Sequence, residues 1–528
     1  MKTHISTRSG GIIEEDMQKK YNQFDRASGI LLNVSSLPSE YGIGCFSRDA
    51  DAFVDIAVDM GFHWWQVLPI TTIGCGNSPY SGISTYAGNR LYICPAELEK
   101  EGLLTADEVN ASKYHGEPYK TDYDFARINT ERFLRIAFSR VNGEVQKRID
   151  EFRRKQAHWI EDYALFMSLA AVHSTAWWRW EDGLKFRREK DLKQAREEFK
   201  EDIDFYVFEQ YEFFRQWNDL KARVNARGVE IIGDLPFYVA TDSVDVWANP
   251  EAFQLDEKLL PKAIAGVPPD AFSKTGQVWG NCLYDFEHMK KNGYKWWRAR
   301  ITHCMELYDA LRLDHFRAFY NYFSIPARDY DTAANGVWKK GPADDLVSLV
   351  QADNKDALFI AEDLGLIDDE CREYIDGTGI PTMRVFQFGF DGTPSSHVPY
   401  RYEVNTVAYT GTHDNNTTLG WLYELNEGAR NYVLKYCGFK GAGWGAGGPD
   451  CGSTKAIIKT LMMSSSSLVV LPYQDMLGYG GDTRMNIPGV AEGNWTYRLP
   501  YHLMTTVDRN FFLDLNSTYG RMGHGVKH

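Results

Sequence analysis

The 528-residue chain holds no apolar run near the ~20 residues that a membrane-spanning helix requires. Its opening stretch, MKTHISTRSGGIIEEDMQKK, lacks the apolar core of about 7 to 15 residues found in secretory signals, and residues 1–23 read as a polar leader. Eight cysteines, at 45, 75, 94, 282, 304, 371, 437 and 451, form no CxxC pair. Thiols scattered in this way exclude a disulfide framework and a zinc ribbon, so a cytoplasmic protein is expected. Basic arms and stripes are missing, and the formal net charge is −14. Affinity for nucleic acid is built on Lys and Arg that neutralise phosphate, which excludes that partner. No HExxH helix, GxSxG elbow or GxxxxGK[ST] phosphate loop is present. The glycine-rich GAGWGAGG (441–448) follows no expected strand and reads as a flexible loop rather than a dinucleotide site. With no EF-hand-like loop either, neither a metal nor a cofactor is expected.

What the chain has in quantity is aromatic side chains: 14% of residues, with 15 Trp and 30 Tyr, beside ordinary apolar (44%) and charged (25%) contents. Flat rings with a polar edge serve large cores and also lie against the apolar faces of sugars. Eight short apolar runs follow the leader: GILLNVS (29–35), HWWQVLP (63–69), VEIIGDLP (229–236), DALRLDHF (309–316), ALFIAEDL (357–364), TMRVFQF (382–388), TVAYTGT (406–412) and SLVVLPYQD (467–475). Strands buried on both faces have this near-continuous character.

Helical patterns separate most of the runs, for example at 49–62 and 294–308, and such alternation predicts parallel βαβ units. Eight strands close a barrel. The fold expected over residues 24–528 is therefore α/β, a (β/α)8 TIM barrel without a separate C-terminal β domain. Two gaps are too long for simple crossovers. In the first, from about residue 70 to 228, charged helical stretches predict an inserted helical subdomain over approximately 95–228, between strands two and three. The second, 237–293, is rich in Pro, Gly and Asp and reads as a long loop segment covering the barrel mouth.

Three carboxylates sit at or just past the ends of these runs: Asp314, Glu362 and Asp414. The C-terminal ends of barrel strands converge on one mouth, so such acids meet around one substrate bond. Each alone also fits a helix cap, but three of them, on strands four, five and seven, point to glycoside chemistry. A retaining glycosidase uses one carboxylate as nucleophile and a second, about 5 to 5.5 Å away, as proton donor. Asp314 suits the first role, because Arg312 two residues earlier shares its strand face and holds the carboxylate oriented. Glu362 suits the second, its acidity tuned by like-charged neighbours. Asp414, beside His413, then stabilises the oxocarbenium-like transition state or grips sugar hydroxyls.

At these residues the chain resembles the 4-alpha-glucanotransferases of the amylomaltase or disproportionating-enzyme type, relatives of the alpha-amylase superfamily. The similarity runs from about residue 26 onward through LLNVSSLPSEYGIG (31–44), WWQVLPI (64–70), NSPYSGISTYAGN (77–89), GDLPFYVATDSVDVWANP (233–250), PPDAFSKTGQVWGN (268–281), RLDHFRAF (312–319), AEDLG (361–365), GTHDNNTTLGW (411–421) and RMNIPGVAEGNWTYRL (484–499). The resemblance implies that Asp314 is nucleophile, Glu362 general acid/base and Asp414 stabiliser. It implies that Tyr80 stacks on the sugar at the cleaved end, with Asp234, Arg312 and His413 hydrogen-bonding it. It assigns Asp270, Gln277, Trp279, His315 and Asn486 to the glucan cleft. Cys282 stands where the family has Pro and Ala318 where it has Gly, and the first bears on the loop over the acceptor site.

The implied substrates are alpha-1,4-glucans and maltooligosaccharides, with glucose as an acceptor. The acids alone leave open whether water or a sugar attacks the intermediate. A glucanotransferase is expected through the resemblance, an amylase-like retaining hydrolase is the alternative, and a non-catalytic glucan-binding protein is the third reading.

Overall fold

A computed structural model describes residues 24–269, 275–365, 367–390, 392 and 395–523. The expected leader at 1–23 and Asp270 lie outside the described residues. The eight apolar runs form eight strands: β1 (Ala27–Leu31), β2 (Trp64–Gln66), β3 (Glu230–Leu235), β4 (Ala310–Leu313), β5 (Leu358–Ala361), β6 (Thr382–Val385), β7 (Thr406–Tyr409) and β8 (Leu468–Pro472). They pair in parallel, in chain order, and β8 closes the ring on β1 through Ala27↔Leu468 to Leu31↔Pro472. Nearly every strand residue is buried, because side chains fill the barrel inside and helices cover it outside. The expected (β/α)8 barrel is the fold.

Outer helices follow from caps and apolar faces. Arg48–Asp59, between β1 and β2, starts where the Ser47 side chain accepts from the Asp49 amide, and it buries Phe53, Val54 and Ile56. Lys295–Leu307 precedes β4, Asp369–Thr378 precedes β6 and Gly452–Met462 precedes β8. Glycine is required at one close approach: a Cβ on Gly233 would lie 2.1 Å from the Tyr308 ring, so only a bare Cα lets that ring close on β3 beside Asp234.

Between β2 and β3 the chain runs through helices that include Tyr123–Phe138, Gly143–Lys155, Ile160–His173 and Lys200–Ala226. The last also serves as the crossover into β3, and its Trp217 indole donates to the Leu307 carbonyl at 3.1 Å. Within this region Arg90 donates to Glu131 (2.6 Å) and to the fully buried Glu209 (3.1 Å), which compensates a carboxylate far from water.

The expected long loop at 237–293 carries strands. Gln277–Cys282 and Ala263–Val267 join Asn321–Pro326 and Val337–Lys340 in a four-stranded antiparallel sheet, in that order. Its two halves lie on either side of β4 in sequence, so no local pattern announces the pairing. Among the described residues no strand follows β8, and no helix is long and apolar enough to cross a membrane.

Candidate active site

Register places the acids. Asp234 on β3 pairs with Arg312 on β4, and Leu313 on β4 pairs with Ala361 on β5. Asp314 and Glu362 are the next residues, so they leave neighbouring strands side by side, and the Glu362 amide still donates to the Leu313 carbonyl at 3.1 Å. Arg312 is buried beneath them. Its Nη1 donates to both oxygens of Asp234 at 2.8 Å and to Asp314 Oδ1 at 2.9 Å, and its Nε reaches Met383 Sδ at 3.4 Å. Burial opposes the guanidinium charge, but Asp234 and Asp314 outweigh it and hold the Arg312 pKa well above its ordinary value. Asp314 Oδ2 takes no protein hydrogen bond among the described residues.

Glu362 is 9% exposed. Its Oε2 accepts from the His315 amide at 2.7 Å and its Oε1 from the Leu364 amide at 2.8 Å. Burial pushes its carboxyl up to about 8; Arg312 and the two amides pull down, while Asp314 pushes up. The His315 amide reaches Glu362 from a left-handed backbone, φ 48°, a conformation that costs a non-glycine residue energy and recurs at functional sites. The His315 ring meets Trp279 edge-on, centroids 5.0 Å apart, and burial lowers its imidazole to about 4, which keeps it neutral.

Asp414 lies five residues beyond Tyr409, on a loop rather than on the strand, and its side chain is about half exposed. Its Oδ1 accepts from Asn486 Nδ2 at 2.6 Å and faces His413 Nε2 at 3.4 Å. Arg484 Nη2 donates to the Asp414 carbonyl at 2.6 Å, and the Asn486 amide to the His413 carbonyl at 3.1 Å. Tyr80 joins the two flanks: its hydroxyl donates to Asp234 Oδ2 at 2.8 Å, and its ring stacks on His413 at 4.9 Å and 19°. One face of the ring expected to meet the sugar is thus taken by His413. A continuous chain of contacts runs Asp314, Arg312, Asp234, Tyr80, His413, Asp414, Asn486.

Two more of the expected residues sit on the Glu362 side. Trp279, 39% exposed, donates its indole N–H to Gln277 Oε1 at 3.0 Å on the outer strand of the small sheet. No group of three or more His, Cys, Asp or Glu side chains is placed to hold a metal ion among the described residues.

A sequence model described as 4-alpha-glucanotransferase matches residues 32–505. The chain belongs to this family. It is 38% identical to a 4-alpha-glucanotransferase of Aquifex aeolicus over 498 residues, 94% of this chain and 99% of that protein. It is 39% identical to one of Thermus thermophilus over 486 residues, 90% of this chain and 95% of that protein. Among solved structures, the amylomaltase of Streptococcus agalactiae in complex with acarbose superimposes with a TM-score of 0.89 at 36% identity, covering 94% of this chain and all of that one.

Within this member of the 4-alpha-glucanotransferase family, side chains not singled out from sequence complete the site. Trp495 lies against both Tyr80 (5.9 Å) and His413 (5.8 Å), its own backbone left-handed at φ 65°. It falls inside the stretch 484–499 that also holds Asn486, and an aromatic in a motif so linked to a site residue was the available signal. Met383 contributes only a sulfur beneath Arg312, and nothing local in TMRVFQF distinguishes it from core packing.

Proposed function

We propose that the protein is a 4-alpha-glucanotransferase that moves alpha-1,4-glucan segments from one maltooligosaccharide, starch or glycogen chain to another, with glucose or a second glucan as acceptor. The observation that carries this reading is the juxtaposition of Asp314, tethered by Arg312, with a buried Glu362 pushed up to about 8. Adjacent strands lie about 4.8 Å apart. Register-matched acids leaving β4 and β5 are therefore close neighbours at the mouth, which supports the retaining geometry, with its carboxyl separation of about 5 to 5.5 Å, over the wider inverting one.

In this mechanism Asp314 Oδ2 attacks the anomeric carbon while protonated Glu362 gives its proton to the glycosidic oxygen, and the leaving glucan departs with a free hydroxyl. At neutral pH a carboxyl with a pKa near 8 is mostly protonated, as a general acid must be. Forming the glucosyl ester removes the Asp314 charge that pushed Glu362 up, while Arg312 stays. The Glu362 pKa then falls, and its carboxylate takes the proton of an incoming acceptor hydroxyl. That oxygen attacks the same carbon, displaces Asp314 and restores the starting state.

Asp414, held by Asn486 and His413, faces the positive charge that grows on the ring at each barrier. Arg312 and Asp234 orient the nucleophile, and Tyr80 and His413 bound the sugar cleaved. Trp279, Gln277 and His315 lie where an acceptor glucan binds, and Asp270 belongs to the same cleft by family resemblance. Among the described residues seven cysteines are free and six of them buried, which supports a reducing, cytoplasmic setting.

The test is the product ladder from maltotriose. Disproportionation yields glucose together with chains longer than the substrate. Glucose and maltose alone, with nothing longer, would establish a hydrolase instead.

A further inference from the structure

The loop bearing His413 and Asp414 leaves β7 and returns into the helix Thr418–Glu424. A small cavity walled by Leu31, Asn33, His413, Gln474, Asp475 and Met485 lies beside it. Its two feet are tied to one side chain. Asp475, just past β8 and 2% exposed, accepts from Thr410 Oγ1 at 2.5 Å, from the Thr418 amide at 2.6 Å and from Thr418 Oγ1 at 2.7 Å. Thr410 is the first residue after β7 and Thr418 opens the helix, so one carboxylate spans the whole loop at its base. Hydroxyl and amide donors, rather than a cation, meet it.

We propose that Asp475 is a positioning residue for the transition-state stabiliser Asp414, acting through the distance between Thr410 and Thr418. This rests on the reading of Asp414 given above. Arg484 and Asn486 fix Asp414 from the loop's far side, and Asp475 ties the loop at its base. A carboxylate that acts on charge developing in the transition state must keep its place to a fraction of an ångström. Three donors converging on one buried carboxylate supply that rigidity, because leaving any of them unpaired away from water is costly. The Tyr80 loop is tied alike: buried Asp245 accepts from the Thr85 amide at 2.9 Å and from Thr85 Oγ1 at 2.7 Å.

The experiment compares kcat and KM on maltotriose for wild type, Asp475→Ala, Asp475→Asn and Thr410→Val, each corrected for the folded fraction by thermal melting. Asp475→Ala lowers kcat about 100-fold with KM within about threefold, the pattern of a contact used only in the transition state. Asp475→Asn stays within about fivefold of wild type: its carbonyl still accepts from the Thr418 amide, and both hydroxyls reverse to accept from its amino group. Thr410→Val, which removes one donor and keeps the shape, lowers kcat about fivefold and carries the test if the alanine variant does not fold.

A kcat for Asp475→Ala or Thr410→Val equal to wild type per folded molecule overturns the proposal, because only stability was affected. So does an asparagine variant as inactive as alanine. Asp414 serves transfer and hydrolysis alike. A wild type that only hydrolysed maltotriose would therefore overturn the assigned function while leaving this comparison of turnover intact.

Discussion

The two flanks of the barrel mouth hold their acids by different means. On the β4–β5 flank Asp314 and Glu362 are the first residues past their strands, and their positions follow from the ladder: Leu313 pairs with Ala361, and the Glu362 amide still bonds across to β4. Backbone amides and a buried guanidinium surround them. On the β7–β8 flank Asp414 rides five residues beyond its strand, half exposed, and side chains from distant parts of the chain hold it: Arg484, Asn486 and, through the loop's base, Asp475. The first flank is rigid because the barrel is rigid. The second is rigid only as far as its hydrogen bonds are complete, and this difference sets how far each tolerates change.

The sharpest break of the comparison is Asp314→Ala. It removes the proposed nucleophile and lowers kcat by about 10⁴-fold or more, with the thermal midpoint little changed. Steady-state turnover of maltotriose measures it, and an unaltered rate would point to a protein that only binds glucan. Arg312→Leu comes next and acts mainly through folding. It leaves Asp234 buried without its cation, which costs about 3–5 kcal/mol in denaturant unfolding.

On the loop flank, Asn486→Ala removes one hydrogen bond to Asp414 and keeps the amide bond to His413, so kcat falls about 10- to 100-fold while stability changes by about 1 kcal/mol. A loss of stability comparable with that of Arg312→Leu would erase the distinction between the flanks.

Glu362 supplies a comparison by pH. In the proposed mechanism its acid form is needed, so kcat/KM falls as pH rises through about 8, and a profile flat to pH 10 would remove it from the role of proton donor. The same shift bears on stability. A folded pKa raised from 4.5 to about 8 contributes stability that is full below the unfolded value and is lost as pH rises to the folded one. Relative to Glu362→Gln, wild type loses stability between about pH 4.5 and 8, and the difference is level above that. The smallest effect is expected from Trp279→Ala, which lies at the rim of the small sheet: KM rises several-fold, kcat holds, and stability moves by about 0.5 kcal/mol or less.

Much of the barrel was legible as pattern. Eight runs with buried character on both faces became eight strands, because a strand covered by helices outside and side chains inside has no polar face to interrupt it. Asp314, Arg312 and Glu362 were legible for the same reason, since a strand end in such a fold is a place at the mouth. The small sheet was not. Its strands at 263–267 and 277–282 pair with 321–326 and 337–340 across the intervening β4, and antiparallel partners so far apart leave no hairpin signal between them.

Asp475 was inside the run SLVVLPYQD and looked like its end. Only the fold brings it against Thr410 and Thr418, 65 and 57 residues away. By itself the sequence determined the count of barrel strands and the order of acids along the chain, which depend on local hydrophobic period and on which residues follow each strand, and it carried the linked motifs by which the chain resembles its family. Tertiary structure alone decided that one guanidinium bridges Asp234 and Asp314, that burial raises Glu362 to about 8, and that Tyr80 leans on His413. Charge balance and burial arise between strands, from groups that the chain brings together only when the barrel closes.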